Sequence, residues 1–357
     1  MLFRSLARIP AWVARIESDS GLGCGLRTCG IVVPFASAIE RDAYPTATWG
    51  ETLDRPGLER EIPGIGPTWR AGLLFRQDGQ IDNRRRLMRA LERACVNRGV
   101  RFEEGCEVLE LLTETAEAQG AEPMAIPPGA AAGPAGNAAG LSISSGSLPP
   151  APGAADQVAA AIGAAAIHAN GGRLAAVRLR RADGQELTLA CREAVLCGGA
   201  WSAQLLPQLP VFPVKGQMLS LQGPIGALAR VVFGPGTYLV PREDGLLVVG
   251  ATSEPEAGFG EGLTPAGQRQ LQAGIEALLP DVSSWPPMER WWGFRPCTPD
   301  QAPLLGEGPI GGLWLATGHH RNGVLLAAVS AELVAGALLG ENDNDGLLEA
   351  FHWSRFG

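Results

Sequence analysis

The chain has 357 residues, 46% of them hydrophobic and 18% charged, enough for one large domain or two interleaved domains with buried cores. A net charge of -8 without any basic run argues against nucleic acid as a partner. No stretch approaches the roughly 18 uncharged apolar residues of a membrane helix, so we expect no membrane span. The seven cysteines are scattered and odd in number, and they predict a cytoplasmic protein whose cysteines are mostly small buried hydrophobes.

Two helices and two short strands are predicted in the first third of the chain. The first helix has one apolar face, and its arginines argue against a signal peptide; a transit peptide is a weaker alternative than an ordinary helix. The second helix begins at a cap supplied by Asp82 or Asn83 and ends at Gly99. Residues 100–102 and 108–112 follow as short strands. The apolar face of the first helix consists of Leu2, Leu6, Ile9, Val13 and Ile16.

Residues 116–166 differ in composition from the rest of the chain. They consist largely of Ala, Gly, Pro and Ser, with almost no charged or aromatic residue. Such a segment has too few large apolar side chains to offset the entropy of ordering it. We expect a disordered surface insertion.

The remainder predicts a mixture of α/β and antiparallel segments. A hairpin turns at Asp183 and Gly184, and residues 194–197 form a strand buried on both faces, with Ser202 capping the next helix. Strands are predicted at residues 212–221, 237–241, 246–250 and 289–295, interrupted by one helix capped by Thr264. A buried strand at residues 313–316 then leads through a glycine-rich loop into an apolar helix at residues 324–339, which should be buried.

The loop at residues 317–323 (TGHHRNG) stands between that last strand and that last helix. A glycine-rich turn from strand to helix brings backbone N–H groups and the positive end of the helix to one point. This arrangement favours an anion, or a group that becomes anionic. A tight turn without a ligand is the alternative that the spacing alone leaves open.

Six motifs, in the same order, resemble the D-amino-acid-oxidase family of flavoenzymes, most closely its glycine oxidase branch. The resemblance covers most of residues 20–112 and 172–340. The motifs are QDGQID at residues 77–82, GAWS at 199–202, PVKGQ at 213–217, TYLVPR with VVGAT at 237–252, GFRP with DQAPLLG at 293–306, and GHHRNG at 318–323.

The resemblance implies an α/β plus α+β fold, in which a Rossmann-like FAD-binding domain is interleaved with a mostly antiparallel substrate-binding sheet domain. Residues 1–76 and 209–297 would form the substrate-binding domain. Residues 77–208 and 298–357 would form the FAD-binding domain, without its first βαβ unit. The family's G-x-G-x-x-G segment for the ADP pyrophosphate is absent from this sequence, so we expect the 357-residue chain to hold little FAD.

The resemblance also assigns site residues. Arg295 would bind the substrate carboxylate bidentately, Tyr238 would add its hydroxyl, and Arg321 would contact flavin or substrate. Alternatively, Arg295 forms an internal salt bridge, Tyr238 is an aromatic residue that only packs in the sheet, and Arg321 forms an ion pair on the surface. Adjacent His319 and His320 do not predict a metal site. The implied cofactor contacts are the backbone of Val108, on the adenine side of the cofactor, and the loop residues Gly318, His319, His320, Arg321, Asn322, Gly323, Val324 and Leu325.

The implied activity is FAD-dependent oxidation of glycine or a related small amino acid or amine to the imine, with O2 reduced to hydrogen peroxide. From glycine the imine would be iminoacetate, which feeds thiazole synthesis for thiamine. The partners would be a small amino-acid substrate and O2, and the resemblance leaves a homo-oligomer and a thiazole synthase partner open. A non-catalytic truncated family member that acts as a binding or scaffolding subunit is the alternative.

Overall fold

A computed structural model describes residues 1–81, 84–114, 172–341 and 346–357. The predicted insertion at residues 116–166 lies outside these ranges, as do the predicted caps Asp82 and Asn83. The flanks of the insertion are paired with each other, because the Glu114 N–H donates to the Arg173 carbonyl at 2.8 Å. Glu114 and Arg173, which flank this segment in the chain, therefore lie next to each other.

The described residues contain eight α-helices and sixteen strands. The helices are α1 (Leu2–Ser20), α2 (Ala38–Asp42), α3 (Arg55–Glu61), α4 (Arg84–Asn97), α5 (Ser202–Leu205), α6 (Pro265–Leu278), α7 (Gly323–Leu338) and α8 (Leu347–Ala350). The strands are β1 (Leu26–Arg27), β2 (Ile31–Phe35), β3 (Glu51–Leu53), β4 (Ala71–Phe75), β5 (Gln80–Ile81), β6 (Cys106–Thr113), β7 (Leu174–Arg181), β8 (Glu186–Ala190), β9 (Ala194–Leu196), β10 (Phe212–Gln222), β11 (Val231–Gly234), β12 (Thr237–Pro241), β13 (Leu246–Gly250), β14 (Pro287–Cys297), β15 (Leu304–Glu307) and β16 (Leu313–Thr317).

The largest sheet has eight strands in the order β14-β10-β13-β12-β11-β2-β4-β3. All its pairs are antiparallel except β11 with β2. Helix α6 begins where the Thr264 side chain accepts the Gly267 N–H, as the sequence predicts, and it buries Leu271 and Ile275 in the main hydrophobic core against the sheet. The predicted antiparallel region is confirmed.

A smaller sheet has three strands in the order β15-β16-β9. Strands β16 and β9 run parallel in this sheet. Helix α7 packs against this sheet through Leu326, Val329 and Leu333. Helix α1 lies on α7, where Arg4 and Arg8 form ion pairs with Glu332. Strands β6, β7 and β8 form a separate antiparallel sheet that contains the predicted hairpin. The division into two domains at the predicted boundaries stays a prediction.

Several local predictions are wrong. Residues 100–102 form no strand; Val100 and Phe102 lack a pairing partner there and are each 49% exposed. Strand β9 is not buried on both faces, since Val195 is 41% exposed. Ser202 is the first residue of α5 rather than its cap, because its hydroxyl donates backwards to the Gly199 carbonyl.

Two predictions of burial are also corrected. Only Cys24 and Cys297 of the seven free cysteines are buried; Cys197 is exposed, and the other four are partly exposed. Helix α7 is buried only in part, and Val324 in its first turn is 51% exposed. Its apolar sequence reflects two packing partners, the small sheet and α1, while its start stays open.

Candidate functional site

The loop between β16 and α7 is fixed by two left-handed residues. Gly318 has φ +73°, and a Cβ there would lie 2.9 Å from Cγ2 of Thr298, so only glycine fits. His320 has φ +48°, and its N–H donates to the Pro296 carbonyl at 2.8 Å. Because Pro296 belongs to β14, this bond attaches the loop to the end of the large sheet.

Helix α7 presents an open N-terminus at the end of this loop. Asn322 is the N-cap residue, and no described side chain accepts a capping hydrogen bond at this end. The first N–H groups of a helix, here those of Gly323, Val324 and Leu325, have no partner within the helix. They carry the positive end of the helix dipole, which stabilises a negative charge near the helix start.

His319 fixes the loop from inside and adds no charge to it. Its Nε2 is 2.9 Å from the Ser330 hydroxyl on α7. Burial lowers the pKa of His319 from 6.5 to about 4, so the ring is neutral at physiological pH. The positive groups at this loop are therefore the N-terminus of α7 and Arg321.

The neighbouring loop after β9 is joined to the same edge of the small sheet. The Ser202 and Thr317 hydroxyls are 2.7 Å apart, and both donate to the Gly199 carbonyl, at 2.8 and 3.2 Å. Because β9 and β16 run parallel, their carboxyl ends lie together, which is where α/β sheets bind ligands. The glycine turn at Gly199 thus stands beside the open start of α7.

Arg295 lies on β14 and reaches across the large sheet. Its Nη1 donates to the Thr252 carbonyl at 3.1 Å. On the way it crosses Gly216 of β10, where a Cβ would lie 2.3 Å from Nη1 and 2.6 Å from Cζ. Glycine at this position is what allows the guanidinium to lie flat on the strand. The partner observed for this end of the fork is a main-chain carbonyl, and not the carboxylate of an internal salt bridge.

Tyr238 shares a sheet face with Arg295. The register pairs Tyr238 with Gly250, Gly250 with Met218, and Met218 with Trp291, which stands four residues before Arg295 on the same strand. A Cβ at Gly250 would lie 2.5 Å from the Tyr238 hydroxyl, so the ring crosses the sheet there. Its hydroxyl donates to Sδ of Met218 at 3.9 Å, and Tyr238 is near enough to Arg295 to raise the pKa of the guanidinium.

The charges around Arg295 oppose each other. Burial lowers the pKa of Arg295, the neighbouring Tyr238 raises it, and the positive charge of Arg321 lowers it again. Burial and the charges of Arg321 and Arg295 also lower the pKa of His320. Two guanidinium groups, one of which lowers the pKa of the other, attract an anion to this site, and a carboxylate matches their planar forks.

The structure thus brings Arg295, Tyr238 and Arg321 together beside residues 318–325. Val108 is not part of this group, because it lies on β6 in the separate three-stranded sheet and is 38% exposed. Within residues 1–81, 84–114, 172–341 and 346–357, no cluster of three or more His, Cys, Asp or Glu side chains is placed to hold a metal ion.

Gly216 and Thr252 were not predicted as site residues. The signal for Gly216 is a glycine in the interior of a long strand, which often marks a close approach by another group. Thr252 has no comparable signal, because it contributes its main-chain carbonyl. Only the path of the Arg295 side chain reveals it.

Comparison with known proteins identifies the family. The family described as FAD dependent oxidoreductase (DAO) matches residues 2–153 and 146–337. The chain belongs to this family. It is 34% identical over 354 residues to the bifunctional protein ThiO/ThiG of Synechocystis sp., covering 98% of this chain and 44% of that protein.

Two further relatives place the chain within this family. It is 40% identical over 153 residues to the glycine oxidase of Pseudomonas aeruginosa, covering 42% of each protein. The crystal structure of glycine oxidase from Geobacillus kaustophilus shares its fold, with a TM-score of 0.74 at 24% identity over 99% of this chain and 82% of that chain. These matches confirm the predicted fold class and family.

The chain spans less than half the length of the curated relatives it matches most extensively. No helix in the part of the chain that the structure describes is long and apolar enough to cross a membrane.

Proposed function

We propose that this protein uses FAD to oxidise glycine, or a related small amino acid or amine that carries a carboxylate, at its α-carbon. The substrate loses two electrons and two protons to become the imine, and dioxygen takes up both to become hydrogen peroxide. The observation that carries the proposal is the convergence of Arg295, Tyr238 and Arg321 beside the open start of α7. The glycine oxidases among the relatives support this substrate class.

In this proposal Arg295 holds the substrate carboxylate. The Thr252 carbonyl occupies one N–H of the guanidinium, which leaves the other donors for a bidentate contact. The Tyr238 hydroxyl adds a donor on the same sheet face, and exposed Arg321 attracts the anion from solvent. Fixing the carboxylate restricts the position of the α-carbon, which lowers the entropic part of the barrier.

The residues present fit the ring end of FAD. Gly318 leaves no room for a Cβ in a loop that directs the N-terminus of α7 outward, and no described side chain caps it. The N–H groups of Gly323, Val324 and Leu325 would hold the part of the ring system that becomes negative, with His319, His320 and Asn322 shaping the loop. FAD, when bound, supplies the two-electron acceptor that side chains lack.

Matched substrates test this proposal. The protein, expressed from its intact gene and supplied with FAD, should turn yellow and release hydrogen peroxide with glycine. It should release none with methylamine, which has the amine but lacks the carboxylate that Arg295 binds. Equal rates with glycine and methylamine would contradict the role of Arg295. A colourless, inactive protein would instead favour the non-catalytic alternative.

We propose in addition that the imine passes to a thiazole synthase for thiamine formation. The support is the bifunctional relative whose name joins ThiO and ThiG in one protein. A thiazole synthase that gains product only when this protein and glycine are present would establish the link. Equal product formation without this protein would contradict it.

A further inference from the structure

Arg295 is held at the end of a buried hydrogen-bond network that the proposed reaction does not itself use. The Thr252 carbonyl that receives Nη1 of Arg295 belongs to a residue with no exposed surface. Its backbone is fixed against β10, because the Thr252 N–H donates to the Gln217 carbonyl at 3.2 Å. In return, the Gln217 N–H donates to the Thr252 hydroxyl oxygen at 2.8 Å.

Glu254 completes this network from the other side. The Thr252 hydroxyl donates to the Glu254 carboxylate through a short hydrogen bond. The fully buried Gln217 amide donates to both carboxylate oxygens, at 2.8 and 3.1 Å. The Glu254 N–H donates to the Lys215 carbonyl at 2.9 Å, which extends the pairing of this segment with β10.

The remaining atoms of the Gln217 amide are also bound. Its oxygen accepts the Thr264 N–H at 2.9 Å and the Gln268 amide at 3.2 Å, and its nitrogen lies 2.6 Å from the Thr264 hydroxyl. These contacts anchor the network to the start of α6. A buried polar network that is this well satisfied has one arrangement and resists displacement.

The charge of Glu254 reaches Arg295 without a direct ion pair. It raises the pKa of Arg295, whereas Arg321 lowers it. A carboxylate paired directly with the guanidinium would occupy the two donors that a substrate carboxylate needs. Because Thr252 lies between Glu254 and Arg295, the negative charge of Glu254 stabilises the guanidinium and leaves its paired N–H donors available for a substrate carboxylate.

We propose that Glu254 is a positioning residue, which acts through Thr252 and Gln217 to fix the carbonyl that holds Arg295 in its open orientation. This inference rests on the proposed function, in which Arg295 binds the substrate carboxylate. Glu254 contacts no substrate in this account. Its loss lets the guanidinium sample other orientations across Gly216.

The test compares Glu254→Gln with Glu256→Gln, an exposed glutamate on the same segment. Glutamine keeps the size of the side chain but offers Gln217 one acceptor oxygen instead of two. The side-chain NMR signal of Arg295, in protein carrying isotope-labelled arginine and assigned by its loss in Arg295→Lys, should shift or broaden in Glu254→Gln only. The affinity for glycolate, a small carboxylate probe, should fall about 5- to 50-fold in the same variant.

A second pair of variants keeps the test decisive if Glu254→Gln does not fold. Thr252→Val removes the hydroxyl at nearly constant volume and should reproduce the altered signal and the weaker binding. Thr252→Ser retains the hydroxyl and should restore both. An unchanged Arg295 signal in Glu254→Gln and Thr252→Val would overturn the inference, as would a changed signal with full glycolate affinity.

The failure of the proposed function gives a different result. Wild-type protein would then bind no glycolate, while the Arg295 signal still responds to Glu254→Gln and not to Glu256→Gln. The positioning of Arg295 by Glu254 would stand in that case, and only its purpose would be wrong.

Discussion

Gly216→Ala is expected to weaken carboxylate binding strongly without unfolding the protein. The added Cβ would stand 2.3 Å from Nη1 of Arg295 and 2.6 Å from both Cζ and Nη2. Carbon and nitrogen atoms pack at about 3.5 Å, so the guanidinium must move by about 1 Å. That shift breaks its hydrogen bond to the Thr252 carbonyl and turns the fork away from the substrate.

The magnitude follows from the hydrogen bonds lost. Bonds to a charged group contribute about 1.5–3 kcal/mol, which corresponds to a 10- to 150-fold loss of affinity for glycolate. The free energy of unfolding should change less than the free energy of glycolate binding, because the lost hydrogen bond between Arg295 and Thr252 is offset in part by the preference for alanine over glycine within a strand. Isothermal titration with glycolate and denaturant unfolding measure the two quantities.

Gly293→Ala is the matched control for this experiment. Gly293 is paired directly with Gly216 on the same sheet face, and a Cβ there would meet no described atom within 4 Å. It should therefore leave Arg295 in place. Equal glycolate affinity in wild type and Gly216→Ala would refute the reasoning, as would a loss of stability in Gly216→Ala that exceeds its loss of binding.

Three further predictions concern Tyr238, His319 and the segment between β6 and β7. Tyr238→Phe removes the hydroxyl beside Arg295 and should weaken glycolate binding by about 1 kcal/mol in a calorimetric titration, with no change for the uncharged analogue glycolamide. Equal losses for both ligands would indicate a change of shape instead. Burial depresses the pKa of His319 from 6.5 to about 4, so the native state binds fewer protons than the unfolded state between these two pH values. The free energy of unfolding should therefore fall by about 3 kcal/mol as pH falls through this window, and the corresponding slope should vanish in His319→Gln. A wild-type slope that persists in His319→Gln would assign it to other groups. Replacing residues 116–166 by a short turn should not lower the melting temperature, because Glu114 and Arg173 already bond on either side of the segment and a shorter loop costs less entropy. A clear drop in melting temperature would show that the segment packs on the fold.

Much of the fold could be predicted because local signals and tertiary packing agree. Strands β12 and β13 have the predicted bounds, since alternating residues and the Asp244–Gly245 turn define both ends. Helix α6 was equally clear from Thr264 and its apolar spacing. Strand β11 (Val231–Gly234) escaped prediction, because it has only four residues and is stabilised by its pairing with β12 on one side and with the distant β2 on the other.

The side chains proposed to bind the substrate could be predicted from the sequence, but the groups that hold Arg295 in place could not. Arg295, Tyr238 and Arg321 came from motif resemblance, and the structure brings them together. The carbonyl of Thr252 carries no sequence signal, since every residue has one. The importance of Glu254 depends on hydrogen bonds between segments that are far apart in the chain. Val108 lies on β6, apart from this group, and its predicted contact with the adenine side of the cofactor stays a prediction.

Anaerobic mixing of the FAD-loaded protein with glycine tests the central claim most directly. The protein should be expressed from its intact gene, and the visible absorbance of the oxidised flavin should be followed in wild type, Arg295→Lys and Arg295→Ala. We predict that glycine bleaches the wild type and saturates at low concentration. Arg295→Lys should need more glycine, because a point charge cannot replace the fork, and Arg295→Ala should lose about 2–5 kcal/mol of carboxylate recognition. Bleaching of Arg295→Ala at the wild-type glycine concentration and rate would contradict the account.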